Sequence, residues 1–117
     1  MKHAKHALRL LLVEDNPRDV RLLEEALLKD RVAGFRMTGA QTLAEALKAL
    51  EHPEVDVVLL DLFLPDSQGL DTVKAVHRLA PSIPVVVLTG SDDEELAIQA
   101  LHEGAQDYIP KGYVAVY

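Results

Sequence analysis

Residues 55–60 read VDVVLL and are followed by Asp61, and this apolar run ending in a carboxylate decides the fold. Two other runs share its character, residues 8–13 (LRLLLV) and residues 83–88 (IPVVVL). Each run is short, rich in branched side chains and bounded by polar or turn-forming residues. Because strands that are buried on both faces of a parallel sheet have this composition, the three runs predict such strands.

Weaker runs and helical patterns complete the outline. Residues 35–40 (FRMTGA) and 107–109 predict edge strands. Helix starts are predicted at Asn16 with Pro17 and at the capping-box pairs Thr42–Glu45 and Ser91–Glu94. Helix ends are predicted at Pro81, after the helical pattern of residues 70–79, and at Gly104. The strict alternation of strand and helix predicts an α/β fold, in which helices cover both faces of a parallel sheet.

The composition is that of one globular domain, which we expect to span residues 1–117 with residues 1–7 as an N-terminal extension. The chain has no cysteine, which excludes disulfides and thiol chemistry and fits a cytoplasmic location. Its first apolar run is too short to span a membrane. The formal net charge of -7 disfavours nucleic acid and anionic membranes as partners.

The candidate site consists of the residues that follow the runs, because ligands of parallel α/β sheets bind beyond the carboxyl ends of the strands. These residues are Glu14 and Asp15, Asp61, Thr89, and Lys111. Clustered carboxylates repel one another, and a divalent cation removes that conflict. Oxygen ligands without nearby histidine or cysteine suit Mg²⁺, Mn²⁺ or Ca²⁺ rather than zinc.

This set of residues indicates phosphoryl chemistry. Mg²⁺ in proteins usually combines one or two carboxylates with water and phosphate oxygens. An aspartate can act as a nucleophile and form an acyl phosphate, which makes Asp61 the predicted acceptor. Lys111 and Thr89 are predicted to hold the remaining phosphoryl oxygens.

Taken in order, these residues match a known family. The chain resembles the receiver domains of two-component response regulators over residues 8–112. The resemblance rests on Glu14, Asp15, Asp61, Pro65, Gly69, Thr89, Tyr108 and Lys111. Each residue alone is weak evidence, whereas the whole set in order is specific. The resemblance implies a flavodoxin-like, doubly wound five-stranded sheet with the strand order 2-1-3-4-5.

The resemblance also implies a signalling phosphoprotein rather than an enzyme that acts on small molecules. A sensor histidine kinase or a phosphotransfer protein would supply the phosphoryl group to Asp61, as in a phosphorelay. The implied Mg²⁺ ligands are Glu14, Asp15, Asp61 and the backbone carbonyl of Phe63. Lys111 would contact the phosphoryl group, while Thr89 and Tyr108 would move. The surface of the fourth helix and fifth strand would then change, and an output partner would read it.

Three features depart from the family pattern. Phe63 stands two residues after Asp61, where a small or polar residue is usual, and we expect it to slow hydrolysis of the acyl phosphate. Gly112 follows Lys111, where proline is usual. The family's fifth helix has no counterpart, because residues 113–117 are too few and too β-prone to form it. The face left open is a candidate surface for a homodimer.

Two other functions compete with the switch. An aspartate-based phosphatase or mutase generally carries a second aspartate two residues after the first, and Phe63 at that position argues against it. A phosphorylation-independent scaffold or dimerisation module would keep the fold without the chemistry. The residues that argue against a scaffold are Asp15, Asp61, Thr89 and Lys111. The sequence identifies neither the cognate kinase nor the output partner.

Overall fold

A computed structural model describes residues 8–28, 34–52, 54–90 and 92–112, and in them strands and helices alternate. The elements are β1 (Leu8–Val13), α1 (Pro17–Leu28), β2 (Phe35–Ala40), α2 (Leu43–Ala49), β3 (Val57–Asp61), α3 (Leu70–Leu79), β4 (Val85–Thr89), α4 (Glu94–His102) and β5 (Asp107–Pro110). A small antiparallel hairpin between β3 and α3 pairs Phe63–Leu64 with Ser67–Gln68.

The strands of the main sheet are parallel and lie in the order β2-β1-β3-β4-β5. This order confirms the prediction, including the edge positions of β2 and β5. The register aligns Val13 with Leu60, Asp61 with Leu88, and Thr89 with Pro110. The carboxyl ends of the strands therefore meet at one edge of the sheet.

The predicted bounds hold for β1, β2 and α3 but are displaced for the two central strands. Both β3 and β4 begin two residues later than predicted, and they extend to Asp61 and Thr89. Pro84 has no N–H to donate to a ladder, although its carbonyl accepts a 3.0 Å hydrogen bond from the N–H of Val58. Asp56 is engaged instead with Arg9 at the start of β1.

Helices pack on both faces of the sheet, as predicted. One face lies under α2, α3 and α4, and the side chains of Leu11, Leu60 and Val87 are fully buried there. The other face carries Leu10, Leu12, Leu59 and Leu88, and among the described elements α1 is the helix packed against it. Truncating a buried leucine to alanine usually lowers the free energy of unfolding by about 2–5 kcal/mol. These core contacts therefore hold the strands that carry the site in place.

The helix termini largely follow the predicted capping pattern. Asn16 Oδ1 accepts a 2.9 Å hydrogen bond from the N–H of Arg18, at the start of α1. Thr42 Oγ1 accepts one of 3.1 Å from the N–H of Glu45, while the Glu45 carboxylate bonds the N–H of Gln41. Helix α3 ends two residues before Pro81, and α4 ends two residues before Gly104, which has φ 118°.

The predicted capping box at the start of α4 is wrong. Helix α4 begins at Glu94 with Asp93 in the N-cap position, so Glu94 is not the third helical residue that a capping box with Ser91 requires. Ser91 itself lies outside the described residues, and so do residues 113–117, for which the absence of a fifth helix was predicted. No described helix has the length and the apolar character needed to cross a membrane.

Candidate functional site

The Asp61 carboxylate stands at the centre of the carboxyl edge of the sheet. It is the last residue of β3 and is only 7% exposed. Its Oδ1 accepts a 3.0 Å hydrogen bond from the N–H of Phe63, and its Oδ2 accepts one of 3.0 Å from Lys111 Nζ. Both carboxylate oxygens are thus held, which fixes the orientation of the group on a rigid strand.

Lys111 follows β5, and its ammonium group is surrounded by carboxylates. Within the described ranges, three carboxylates form ion pairs with its Nζ, namely Glu14 Oε1 at 2.6 Å, Asp19 Oδ2 at 3.0 Å and Asp61 Oδ2 at 3.0 Å. Burial by itself lowers the pKa of Lys111, but the three neighbouring carboxylates more than offset that effect and raise it. Lys111 therefore stays charged.

The Glu14 carboxylate is buried beside Asp61, with only 1% of the residue exposed. Its Oε2 accepts a 3.2 Å hydrogen bond from the N–H of Asn16. Its Oε1 is close to Lys111 Nζ but outside hydrogen-bonding geometry. Burial, together with the neighbouring Asp61, raises the pKa of Glu14 to about 7, although Lys111 opposes the shift. The carboxyl edge is thus short of positive charge.

The acidic cluster fits a divalent cation. One carboxylate oxygen from each of Glu14, Asp15 and Asp61 can be chosen so that all lie within 4.8 Å of one another. Asp15 is exposed whereas the other two are buried, so the cluster is open to solvent on one side. A set of hard oxygen ligands with an open side suits Mg²⁺, which keeps water or phosphate oxygens in its coordination shell. The poorly bonded Oε1 of Glu14 agrees with this fit.

The residues at the ends of β4 and in β5 border the same edge. Thr89 is 3% exposed and stands next to Pro110 in the register. The ring of Tyr108 packs against the buried core at its margin, and its hydroxyl donates a 3.2 Å hydrogen bond to Glu94 Oε2 of α4. That bond raises the pKa of Tyr108. Tyr108 thus joins β5 to the start of α4.

The loop after Asp61 is held by hydrogen bonds on both sides. The N–H of Gly69 donates to the carbonyl of Leu62 at 2.7 Å, and the Thr72 hydroxyl lies 2.7 Å from that of Ser67. The Asp66 carboxylate accepts hydrogen bonds of 2.8 and 3.0 Å from the N–H groups of Leu43 and Ala44 at the start of α2. These backbone bonds lower the pKa of Asp66. The loop is therefore fastened to its neighbours.

Comparisons with known proteins agree with this geometry. Residues 10–115 match the family described as the response regulator receiver domain. The chain belongs to this receiver domain family. The receiver domain is 39% identical over 105 residues to the transcriptional regulatory protein KdpE of Mycobacterium tuberculosis, covering 89% of this chain and 44% of KdpE. It is 32% identical over 102 residues to the DNA-binding transcriptional regulator NtrC of Proteus hauseri, covering 86% of this chain and 21% of NtrC.

A solved structure gives the same result for the receiver domain. The CheY-like response regulator receiver domain protein of Methanospirillum hungatei JF-1 matches it with a TM-score of 0.76 and 27% identity, covering 91% of this chain and 82% of that one. Receiver domains are signalling domains of two-component systems rather than enzymes that act on small molecules. This receiver domain spans less than half the length of the curated relatives named above.

The structure brings most of the predicted site residues of the receiver domain together. Asp61 and Lys111 are in direct contact, Glu14 and Asp15 lie beside them, and Thr89 borders the same edge. Phe63 contributes its N–H to Asp61, while its side chain is 40% exposed. The metal role of its backbone carbonyl stays a prediction.

The sequence analysis missed two acidic residues in this region. Asp19 bonds Lys111 although the two are 92 positions apart, and the only local signal was an acidic residue in the first turn of a helix. No role was predicted for Asp66, but its carboxylate caps α2. Both contacts join elements that are distant in sequence, and spacing alone does not reveal them.

Proposed function

We propose that this receiver domain is a phosphorylation-dependent switch in which Asp61 accepts a phosphoryl group from a histidine kinase or a phosphotransfer protein. The observation that carries the proposal is the position of the Asp61 carboxylate. It is bonded to Lys111 Nζ at 3.0 Å and lies within a cluster of acidic oxygens suited to Mg²⁺. A nucleophile, a fixed cation and candidate metal ligands thus stand within one small site.

The proposed reaction transfers a phosphoryl group between two nucleophiles. A carboxylate oxygen of Asp61 attacks the phosphorus atom of phosphohistidine in the donor, and a P–O bond forms. The P–N bond breaks, and the imidazole nitrogen of the donor keeps the electron pair. The products are an acyl phosphate on Asp61 and the free histidine. The strand position of Asp61 and its bond from the N–H of Phe63 support this role, because they orient the nucleophile in advance.

Charge stabilisation is the second requirement of the site. Lys111 would donate a hydrogen bond to a phosphoryl oxygen, and the Thr89 hydroxyl at the end of β4 would hold another. Glu14, Asp15, Asp61 and the carbonyl of Phe63 would hold Mg²⁺, which supplies neutralisation of the charge on the phosphoryl oxygens. The surplus of carboxylates over ammonium groups described above supports the need for such a cation.

The switch would connect the site with the surface formed by α4 and β5. Movement of Thr89 towards the phosphoryl group would free space near Tyr108, whose hydroxyl is bonded to Glu94. Loss of that bond would change the exposed surface of α4, which an output partner would then read. KdpE and NtrC are transcriptional regulators by name, and an output in gene regulation is one candidate for a longer protein that contains this domain.

Intact-mass spectrometry tests the proposal. The chain is incubated with Mg²⁺ and acetyl phosphate, and the wild type is compared with Asp61→Asn. We expect the mass of one phosphoryl group to be added to the wild type alone, and chelation of Mg²⁺ to prevent the addition. No addition, or equal addition to both proteins, would contradict the proposal and favour the scaffold function instead.

A further inference from the structure

Three carboxylates surround the Lys111 ammonium group in this structure, and two of them accept hydrogen bonds from it. An ammonium group has three N–H donors. Among the described residues it faces three acidic partners, with Nζ distances of 2.6 Å to Glu14, 3.0 Å to Asp19 and 3.0 Å to Asp61. Because Nζ is held close to all three carboxylates, its movement towards a phosphoryl oxygen must weaken at least one of these contacts.

The partners of Lys111 differ in how easily they can be released. The side chains of Glu14 and Asp61 are 1% and 10% exposed, so a carboxylate charge left unpaired on either residue would be largely shielded from water. The side chain of Asp19 is 25% exposed and lies in the first turn of α1. Water can solvate its carboxylate once the ammonium has moved, which makes Asp19 the partner with the lowest cost of release.

The contact between Asp19 and Lys111 is nevertheless more than a loose surface ion pair. A cavity of only about 10 Å³ lies beside it, lined by Leu22 and Leu23 as well as by the two charged residues. The side chains of Asp19 and Lys111 are 25% and 22% exposed, so the pair is partly shielded from solvent. A pair that is partly shielded in this way is stronger than a fully exposed one.

We propose that Asp19 is a positioning residue that retains Lys111 in the unphosphorylated state, and that Lys111 exchanges Asp19 for a phosphoryl oxygen when Asp61 is phosphorylated. The inference rests on the proposed function, because it assumes that Lys111 binds the phosphoryl group. Asp19 then restrains phosphorylation, since its attraction for Lys111 must be overcome. It also makes the first turn of α1 sensitive to the state of Asp61.

Phosphorylation rates of charge variants test this inference. The rate of phosphoryl addition from acetyl phosphate, with saturating Mg²⁺, is measured by intact mass for the wild type, Asp19→Asn, Asp19→Glu and Glu25→Gln. Glu25 lies on the same helix and is exposed. The Glu25→Gln variant is the control, because it loses one negative charge, as Asp19→Asn does. We expect Asp19→Asn to react about two- to fivefold faster, the range that an ion pair of modest strength gives. Asp19→Glu should keep a rate close to that of the wild type.

Salt dependence separates the local contact from general charge repulsion. Repulsion between an acidic protein and an anionic phosphodonor is screened at high ionic strength, so any gain from Glu25→Gln should disappear there. The gain from Asp19→Asn should persist, because its contact with Lys111 is partly closed to solvent. A wild type that is phosphorylated, while Asp19→Asn is no faster than Glu25→Gln or is slower than the wild type, overturns the inference alone. A wild type that takes up no phosphoryl group overturns the proposed function and the inference together.

Discussion

The two ends of the sheet are built on opposite electrostatic principles. At the amino end, Arg9 faces Asp56 with distances of 3.2 Å from Nε to Oδ2 and 3.1 Å from Nη2 to Oδ1, and the N–H of Arg9 bonds the same carboxylate. At the carboxyl end, Lys111 is shared among acidic groups. The Arg9–Asp56 pair is balanced in charge and well bonded, whereas the described carboxyl end has more negative charge than Lys111 can neutralise.

This difference shows which end of the sheet serves stability and which serves function. A balanced pair with good geometry has no unmet demand and needs no ligand. A buried cluster of like charges is costly unless a cation or a reaction makes use of it. The contrast between Arg9–Asp56 and the Lys111 cluster therefore supports the assignment of the carboxyl end as the reactive site.

Removal of the cation at each end should give the largest contrast. We expect Lys111→Gln to slow phosphorylation from acetyl phosphate by on the order of a hundredfold, because a donor aimed at the phosphoryl oxygens is lost. Arg9→Gln should lower the free energy of unfolding slightly and leave the phosphorylation rate unchanged. Intact-mass time courses and urea unfolding of both variants provide the test. Equal losses of rate in the two would remove the distinction between the ends.

Charge removal at Glu14 should stabilise the protein in a pH-dependent manner. The pKa of Glu14 is raised from 4.5 to about 7, so the folded state holds this proton more tightly than the unfolded state. The free energy of unfolding therefore falls as the pH rises through that interval, and the cost is fully present above it. We expect Glu14→Gln to be more stable than the wild type by about 1–3 kcal/mol at pH 8 in metal-free buffer.

Urea unfolding between pH 5 and pH 8 checks this expectation, with Glu25→Gln as the control for loss of one exposed charge. The difference between Glu14→Gln and the wild type should increase with pH, and addition of Mg²⁺ should reduce it. A constant difference over this range would show that Glu14 is ionised normally in the folded protein.

Gly104, in the connection that leads from α4 to the amino end of β5, should affect stability alone. Its φ of 118° is unfavourable for other residues, and a Cβ there would lie 2.6 Å from Cγ of His77. We expect Gly104→Ala to lower the free energy of unfolding by about 1–3 kcal/mol. Gly39→Ala, where a Cβ meets nothing within 4 Å, is the matched control. A larger loss of unfolding free energy in Gly39→Ala than in Gly104→Ala would contradict the conclusion that the conformation and surroundings of Gly104 require glycine.

Phe63 should affect the lifetime of the acyl phosphate at the carboxyl end. Its exposed side chain belongs to the hairpin immediately after Asp61. The resemblance to receiver domains implies that this position borders the route of an attacking water molecule. We expect the phosphoryl group of Phe63→Asn to be lost several-fold faster than that of the wild type. The decay of the phosphorylated mass after removal of the phosphodonor gives both rates, and identical rates would refute this expectation.

The smallest effect on stability is expected from Asp66. This carboxylate also lies at the carboxyl end of the sheet, but it accepts two backbone hydrogen bonds. Hydrogen bonds from the N–H groups of Leu43 and Ala44 lower its pKa, so its contribution to stability is present above the ordinary pKa of an aspartate. The contribution is lost as the pH falls through the lowered value. Asp66→Ala should thus be slightly less stable than the wild type at pH 7, and the gap should close in acid. Asp92→Ala serves as the control, and a gap that stays open in acid would contradict the capping role.

The sequence predicted the fold well because the strand pattern is local. The runs over β1 and β2 coincide with the strands of the structure, and a polar residue ends each run, Glu14 after β1 and Gln41 after β2. The starts of β3 and β4 were predicted too early, because Asp56 is bonded to Arg9 and Pro84 has no N–H to donate to the sheet. The order of the strands followed from the family resemblance and is confirmed by the pairing.

The site was only partly predictable for a different physical reason. Residues at strand ends, such as Asp61 and Thr89, can be placed at one edge from topology alone. The contact between Asp19 and Lys111 depends instead on where a side chain of α1 points relative to the residue that follows β5. The bonds from Leu43 and Ala44 to Asp66 depend on packing in the same way.

Chemical trapping of the modified residue tests the central claim most directly. An acyl phosphate is reduced by borohydride, whereas a free carboxylate and a phosphate ester are not, so reduction converts the phosphorylated aspartate into homoserine. After treatment with acetyl phosphate and Mg²⁺, peptide mass mapping should find homoserine at position 61 of the wild type and at no position in Asp61→Asn. Homoserine at Asp15 or at another carboxylate, or unmodified aspartate at position 61 throughout, would contradict the assignment of Asp61 as the phosphoryl acceptor.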